Sequence, residues 1–290
     1  MLGVNNVTTT TAANTIPKIW SKKALIALRA ALIIGDKINT QYREDATRGN
    51  TIYIPRISNF EASQKTANNQ VVLNAPKDTN VPIYIDQQPH CAFLLEDIAA
   101  VQSNLELTAK YTDQAGYAVR KYIDTLLANQ ATSFSQSTGV YNTPLTASTV
   151  LQSDQILNEN DVPVNDRYWI IHPKTLTDLR QISDYVRYDG TGYAGGAAWG
   201  TIGKTDVHRR PDGLSGMLYN AEVYATTQVM KAGNNISNMF IHEDAMALVM
   251  QKELRTQSDY KLEYLAHLVV IDAILGYGIL RDEAGVLVMS

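Results

Sequence analysis

"TIYIPRISNFEASQKTANNQVVLNAPKDTNVPIYID", residues 51–86, contains two strand-like patterns separated by a long polar stretch. Ile52 and Ile54 share one face of the first pattern, and Ile83 and Ile85 share one face of the second. The residues between them are rich in Asn, Gln, Ser, Lys and Thr and far outnumber the usual hairpin loop of about 2–5 residues. The stretch therefore predicts an extended β-hairpin arm that cannot complete a hydrophobic core by itself.

Two prolines indicate how this arm is used. Pro55 and Pro82 each remove a backbone donor from the ladder, which suits edge strands and prevents the sheet from growing. Folded in half, the arm reaches about 50–60 Å at ~3.3 Å per residue.

Composition excludes several classes of protein. With 290 residues, 45% hydrophobic and 19% charged, the chain can bury a normal core. A net charge of −4 argues against tight nucleic-acid binding, because phosphate contacts require a basic face. The single cysteine, Cys91, excludes an internal disulfide framework and fits a reducing compartment.

The most apolar run, 264–280, contains His267 and Asp272 and is predicted to be core, not a membrane span. We expect no signal peptide, since the first residues lack a basic region and an apolar stretch.

The rest of the chain predicts a mixture of helices and strands. Ser21 is a natural N-cap for a helix ending near Gly35, and Ser103 and Glu106 form a capping box. The capping box predicts a helix of about 25 residues with one apolar stripe, which consists of Ala115, Val119, Tyr122, Ile123, Leu126 and Leu127.

Alternation continues beyond this long helix. A helix is predicted with Val150, Leu151, Ile156 and Leu157 facing inward. Tyr168–Ile171 predicts a buried strand that runs into a helix starting at Pro173. Strands are predicted around a turn at Asn220–Ala221, and a strand, a short helix and a strand-rich apolar end follow. Because helices and strands alternate irregularly, the predicted class is α+β.

No enzyme, metal or cofactor signature emerges. GTIGKT (200–205) lacks the first glycine of a phosphate-binding loop, where Ala198 stands, and GLSGM (213–217) lacks the second glycine of a nucleophile elbow. No two histidines have ligand spacing. The cluster His242-Glu243-Asp244 is interpreted as the start of a helix, because acidic residues favour that end of the dipole.

The order of these features resembles the major capsid proteins of tailed bacteriophages, the Hong Kong 97-type shell fold. Several segments are also similar to that family in sequence, and together they are spread over most of residues 16–290. They are IPKIWSKKALIALRAALIIGDKIN (16–39), GNTIYIPRI (49–57), VPIYIDQQPHCAFLLEDIAAVQSN (81–104), YIDTLLANQ (122–130), DVPVNDRYWIIHPKTLTDL (161–179), GMLYNAEVYAT (216–226) and AMALVMQKELRTQ (245–257).

The resemblance implies a domain organisation. It comprises an N-terminal arm with a helix (1–48), an extended loop (49–89), a peripheral domain with a spine helix (90–145), an axial domain (146–234) and return strands of the peripheral domain (235–290).

The resemblance also implies a function. The chain is expected to assemble through hexamers and pentamers into an icosahedral virion shell, in the cytoplasm of a bacterial host. Expected partners are further copies of itself, a separate scaffolding protein, a portal, a decoration or cement protein, and enclosed double-stranded DNA bound without sequence specificity. No membrane partner is expected.

Two sets of residues are expected to serve assembly. The first would contact neighbouring subunits and consists of Ile16, Trp20, Ile52, Ile54, Lys65, Lys77, Asp78, Ile83 and Ile85. The second would line the axis of a subunit ring and consists of Gly190, Gly192, Gly195, Gly196 and Gly200.

Three alternatives remain open at this stage. An encapsulin-like nanocompartment would share the fold and enclose enzymes. A nucleotide-binding enzyme would use Gly203-Lys204-Thr205, and a β-rich adhesin or tail component would form trimers or fibres. The size of the native assembly distinguishes a shell from the last two, and its cargo distinguishes it from the first.

Overall fold

The computed structural model describes residues 33–42, 49–57, 62–65, 67–68, 70–71, 73, 78–96, 107–182, 214–219 and 221–290. Several sequence predictions lie outside these residues: Ile16, Trp20, the helix starting at Ser21, Lys77, the Ser103–Glu106 capping box, Gly190, Gly192, Gly195, Gly196, Gly200, Gly203-Lys204-Thr205 and Asn220.

The described part of the chain mixes helices and strands of very different length. The strands are β1 (Thr51–Arg56), β2 (Thr79–Tyr84), β3 (His90–Glu96), β4 (Ser137–Gly139), β5 (Arg167–Ile171), β6 (Leu214–Leu218), β7 (Ala221–Ala225), β8 (Met230–Ala232), β9 (Asn235–His242), β10 (Met246–Lys261), β11 (Ala266–Ile279) and β12 (Gly285–Met289). The α-helices are α1 (Leu107–Asn129), α2 (Ala147–Glu159) and α3 (Pro173–Leu179), and 3-10 turns occupy Ile34–Asp36, Gln130–Ser133, Glu243–Ala245 and Asp282–Ala284.

Strands β1 and β2 form a two-stranded antiparallel sheet, here called the ribbon. Ile52 lies opposite Ile83, and Ile54 lies opposite Val81. The predicted strand pair is therefore confirmed, and alternation in the sequence identified both strands.

The predicted spine helix is α1, which has 23 residues and spans about 35 Å at 1.5 Å per residue. Ala115, Val119, Ile123 and Leu127 are buried at a spacing of four residues. The prediction that Tyr122 belongs to this stripe is wrong, because it is 52% exposed. One residue turns the helix by about 100°, which carries position 122 away from the buried face of Ile123.

Seven strands form the largest sheet of the described chain. Its order is β4-β12-β9-β5-β7-β6, with β8 beside β9. Nearly every residue of β5, β9 and β12 is buried, so both faces are covered. Trp169 on β5 stacks on Phe240 of β9 with ring centroids 4.2 Å apart.

The predicted helices beside this sheet are confirmed as α2 and α3. Thr146 caps α2, and Pro173 occupies the first turn of α3 behind the cap residue His172. Val150 and Leu157 are buried as predicted, but Leu151 is 49% exposed, so its predicted inward orientation is wrong. Like Tyr122, it lies one residue away from a buried position on its helix.

The seven-stranded sheet is built from distant parts of the sequence. β4 comes from the predicted peripheral segment 90–145, and β9 and β12 come from the predicted return segment 235–290. The predicted domain boundaries at 145/146 and 234/235 therefore divide a single sheet.

The three-stranded sheet has the order β10-β11-β3 and is antiparallel throughout. β10 and β11 form a hairpin that pairs from Met246 and Ile279 at its base to Lys261 and Ala266 near its tip. β3 was not predicted as a strand. Phe93 on β3 contacts Tyr111 of α1 with ring centroids 5.8 Å apart, so the long helix packs on this sheet.

Candidate subunit-contact surface

The inner face of the ribbon packs on the body of its own chain. Ile54, Ile83 and Ile85 are at most 8% exposed. They form an apolar cluster with Ala247, Val249 and Leu280, and Ile52 packs against its margin. The prediction that these isoleucines await an adjacent subunit is therefore wrong for Ile54, Ile83 and Ile85, because the chain itself already covers them.

Further contacts hold the ribbon against the body. Arg56 Nη2 lies 2.6 Å from Glu283 Oε1, and Gln251 Nε2 donates to the carbonyl of Gly49 at 2.9 Å. A Cβ at Gly276 of β11 would collide with the backbone of Tyr84. The absence of a side chain at Gly276 therefore allows β2 to lie directly on β11.

The outer face of the ribbon is exposed and rich in Tyr and Pro. Tyr53 lies opposite Pro82, and Thr51 lies opposite Tyr84, so these residues share a face. Tyr53 is 66% exposed and Tyr84 is 59% exposed. Tyrosine is enriched at protein interfaces, where its ring is buried while its hydroxyl stays wet.

Beyond the ribbon lies the distal segment, which is defined as the described residues from Ile57 to Asp78. Every one of these residues is exposed, including the predicted contact residues Lys65 and Asp78. Ile57, Val71 and Leu73 are 69%, 63% and 89% exposed. Three large apolar side chains of the distal segment therefore face solvent in the single chain.

The tip of the β10–β11 hairpin is a second exposed apolar surface. Leu262, Tyr264 and Leu265 are 78%, 63% and 63% exposed. Sequence reasoning missed these residues because it interpreted the apolar run that begins at Tyr264 as core. The charges of Lys261 and Glu263, interspersed with them, were the available signal of a turn in solvent.

A partly buried ion pair holds the segment that joins the ribbon to β3. Asp272 of β11 accepts from Arg255 Nε and Nη2 at 2.8 Å and from Gln88 Nε2 at 2.9 Å. The hydrogen bonds from Arg255 lower the pKa of Asp272 to about 2. Gln87 exchanges two backbone hydrogen bonds with Leu275, so the base of the ribbon is held at two successive residues.

Two histidines of the described chain cap the start of a helical turn. His172 Nδ1 accepts from the backbone N–H of Lys174, and His242 Nδ1 accepts from that of Asp244, each at 3.1 Å. His242 therefore caps the 3-10 turn Glu243–Ala245, in line with the predicted helix start. Among the described residues, no three His, Cys, Asp or Glu side chains come close enough together to hold a metal ion. No described helix is both long and apolar enough to cross a bilayer.

Solved phage capsid structures match the chain over nearly its whole length. A structure from Mycobacterium phage Che8 has a TM-score of 0.76 and 22% identity, and the match covers 94% of this chain and 96% of that chain. The capsid of cyanophage P-SCSP1u has a TM-score of 0.71 and 18% identity, with 99% and 96% covered. The chain has a phage capsid fold.

A third structure extends this likeness to a capsid described as stable in acid. The capsid of Helicobacter pylori bacteriophage KHP30 has a TM-score of 0.68 and 13% identity, with 100% of this chain and 99% of that chain covered. The α+β, Hong Kong 97-type fold implied by the sequence resemblance is thereby confirmed. No family model and no curated protein matches the chain.

Proposed function

We propose that this chain is the major capsid protein of a tailed bacteriophage and assembles through hexamers and pentamers into an icosahedral shell. The observation that carries the proposal is the fold likeness, which spans nearly the full length of both this chain and the phage capsid chains. Because one fold can serve several functions, the exposed surfaces of the ribbon and the hairpin tip provide a separate argument.

The outer face of the ribbon and the distal segment are suited to contact a neighbouring copy. Burial of exposed apolar groups such as Tyr53, Tyr84 and Leu73 contributes about 25 cal/mol per Å², less the cost of ordering the segment. Lys65 and Asp78 add charge pairs that are weak singly but are repeated at every contact. Contacts between two different surfaces of identical subunits close into rings when the rotation permits.

The hairpin tip supplies a second contact between copies. Leu262, Tyr264 and Leu265 lie at the far end of a long two-stranded projection, away from the ribbon cluster. A subunit with two separate exposed apolar surfaces can bind neighbours within a ring and in adjacent rings. A closed shell requires both kinds of contact.

The remaining parts of the proposal follow from the sequence resemblance. Gly190, Gly192, Gly195, Gly196 and Gly200 would line the ring axis, and Ile16, Trp20 and Lys77 would add contacts to neighbours. A separate scaffolding protein, a portal and a decoration protein would be the other partners. The protein would serve in the virion and assemble in the bacterial host cytoplasm, without enzymatic activity. A net charge of −4 suits a container that encloses DNA without binding it tightly.

Electron microscopy of the purified native assembly tests the function. We expect closed particles of uniform diameter that contain double-stranded DNA when isolated from infected cells. Protein cargo in place of DNA would favour an encapsulin-like compartment, and a native monomer or fibre would contradict a shell.

Substitution of the outer face of the ribbon tests the mechanism. In the double variant Tyr53→Ala/Tyr84→Ala we expect a folded subunit that forms far fewer particles. The matched control is Tyr122→Ala, which removes a tyrosine of similar exposure from helix α1. Normal particle yield from the double variant would remove the ribbon face from the mechanism.

A further inference from the structure

The segment Ile33–Tyr42, here called the connecting segment, contacts three different parts of the fold within a few residues. It reaches helix α1 through Asp124, the three-stranded sheet through Asn39, and the seven-stranded sheet through Lys37. Each contact uses different chemistry, and the three differ in how firmly they hold.

The contact with α1 is a buried carboxylate. Asp124 is 3% exposed and accepts from the backbone N–H of Ile33 at 2.9 Å and from that of Gly35 at 3.1 Å. Burial raises the pKa of Asp124, although these N–H donors oppose the rise. Because the donors belong to the backbone, the path of the chain is itself fixed here.

The contact with the base of β10 also uses the backbone. The N–H of Asn39 lies 3.1 Å from the carbonyls of Glu243 and Met246, and its carbonyl accepts from the N–H of Leu248 at 3.0 Å. The Asn39 side chain donates to Asp244 at 2.8 Å. Asn39 is 3% exposed, so water does not compete for these hydrogen bonds.

The contact with the seven-stranded sheet is made by side chains alone. Lys37 Nζ lies 4.7 Å from the ring centroid of Tyr224, 5.1 Å from that of Tyr168, and 3.5 Å from Glu222 Oε2. Tyr168 and Glu222 are registered partners on β5 and β7, and Tyr224 lies two residues further on the same face. The Tyr224 hydroxyl donates to the same Glu222 oxygen at 2.6 Å.

This Lys37 site is the weakest of the three contacts. The side chains of Lys37 and Glu222 are 23% and 33% exposed, so salt and water reach the ion pair. A cation over an aromatic ring tolerates sliding and tilting better than a hydrogen bond to a backbone N–H does. The connecting segment is therefore tightly bound to α1 and β10 but only loosely bound to the seven-stranded sheet.

We propose that the connecting segment sets the angle between the seven-stranded and three-stranded sheets, and that the Lys37 site is the joint at which this angle changes. The role of the joint in a shell rests on the proposed function. Identical subunits that build both hexamers and pentamers must adjust their shape, and the weakest of these three contacts is where adjustment costs least.

Distance measurement between spin labels tests the joint on the full, unassembled chain. Labels are attached at Lys174→Cys on α3 and Thr256→Cys on β10, both exposed, in a Cys91→Ser background that removes the only native cysteine. We expect a narrow distance distribution in this background and a markedly broader one after Lys37→Met. The matched control is Lys121→Met, which removes an exposed lysine of α1 and should leave the distribution narrow.

The outcomes separate the joint from the function. An unchanged distribution in Lys37→Met, or equal broadening in the control, would overturn the joint. If Lys37→Met does not fold, Glu222→Gln decides, since it removes the ion pair and keeps both rings. In assembled material, Lys37→Met should give particles of several diameters, and uniform particles would overturn its role in the shell. If the unaltered chain forms no particles at all, the proposed function fails while the label distances still decide the joint.

Discussion

The seven-stranded sheet and the ribbon show two ways in which strands of one chain become stable. In the sheet both faces are buried, and Trp169, Phe240 and Val223 are at most 1% exposed. In the ribbon one face is buried, while the other exposes Tyr53 and Tyr84. The difference shows that the sheet is completed by its own chain, whereas the outer face of the ribbon stays open to solvent in the single chain.

Polar groups follow the same division. In the seven-stranded sheet, buried Asn238 donates to Ser290 Oγ at 2.9 Å and accepts from the N–H of His172 at 2.8 Å. Buried Thr138 and Ser153 share a hydrogen bond of 2.7 Å. On the distal segment the polar groups face water, so ordering them adds little stability to an isolated subunit.

The largest effect is expected in the seven-stranded sheet. Trp169→Ala should lower the free energy of unfolding by about 3–5 kcal/mol, because it empties a large buried site. Trp169→Phe is the control, since it keeps a ring stacked on Phe240 and should cost clearly less. Urea denaturation followed by circular dichroism measures both. Equal losses for the two variants would contradict a packing role.

The inner face of the ribbon should come next. Ile83→Ala should cost about 2–4 kcal/mol, because Ile83 is 1% exposed within the cluster of Ala247 and Leu280. Tyr84→Ala, one residue away on the outer face, should change the stability of the subunit by less than about 0.5 kcal/mol. Similar values for the neighbouring positions would erase the distinction between the faces.

The base of the ribbon should show a smaller effect that depends on pH. Asp272→Asn should cost about 1–3 kcal/mol at neutral pH, because Arg255 loses its charged partner. The pKa of Asp272 is about 2 in the folded chain and 3.8 ordinarily. A lowered pKa stabilises the fold above pH 3.8, and this stabilisation disappears as the pH falls towards 2.

Unfolding measured from pH 7 to pH 2 checks this prediction. The curves of the unaltered chain and Asp272→Asn should converge in acid. A difference in the free energy of unfolding that stays constant across this pH range would show that Arg255 and Gln88 do not act through the charge of the carboxylate.

The smallest effect on the subunit is expected in the distal segment. Leu73→Ser should change the free energy of unfolding by less than about 0.5 kcal/mol, because Leu73 is 89% exposed. Assembly, followed by light scattering, should nevertheless slow. Val140→Ser, at a 65% exposed position after β4, is the control. A Leu73 variant that assembles at the normal rate would show that Leu73 takes no part in a contact between subunits.

Sequence patterns identified the elements but not what covers them. Alternation at Ile52, Ile54, Ile83 and Ile85 predicted both strands and one apolar face of the ribbon. It could not show that β10 and β11 of the same chain bury that face, because a period of two residues carries no information on distant partners. The same pattern is expected whether the face is buried by its own chain or by a neighbouring subunit. The prediction chose the neighbouring subunit and was therefore wrong for Ile54, Ile83 and Ile85.

Other features were hidden for local reasons. β10 departs from strict alternation where its register shifts between Met250, Lys252 and Arg255, so its length was not apparent. The contacts of the connecting segment join residues about ninety to two hundred positions apart, such as Ile33 with Asp124 and Asn39 with Asp244. The helix α1 and the strand before Pro173 were predicted well because their signals are local and periodic.

Gly276 determines the direction in which the ribbon leaves the body of the chain. With only a hydrogen atom at this position, β2 rests flush on β11. Any larger group would push β2 away from β11 at the base of the ribbon. The resulting displacement would increase with distance from that base. The direction in which the ribbon and the distal segment leave the body thus depends on the absence of a side chain at position 276.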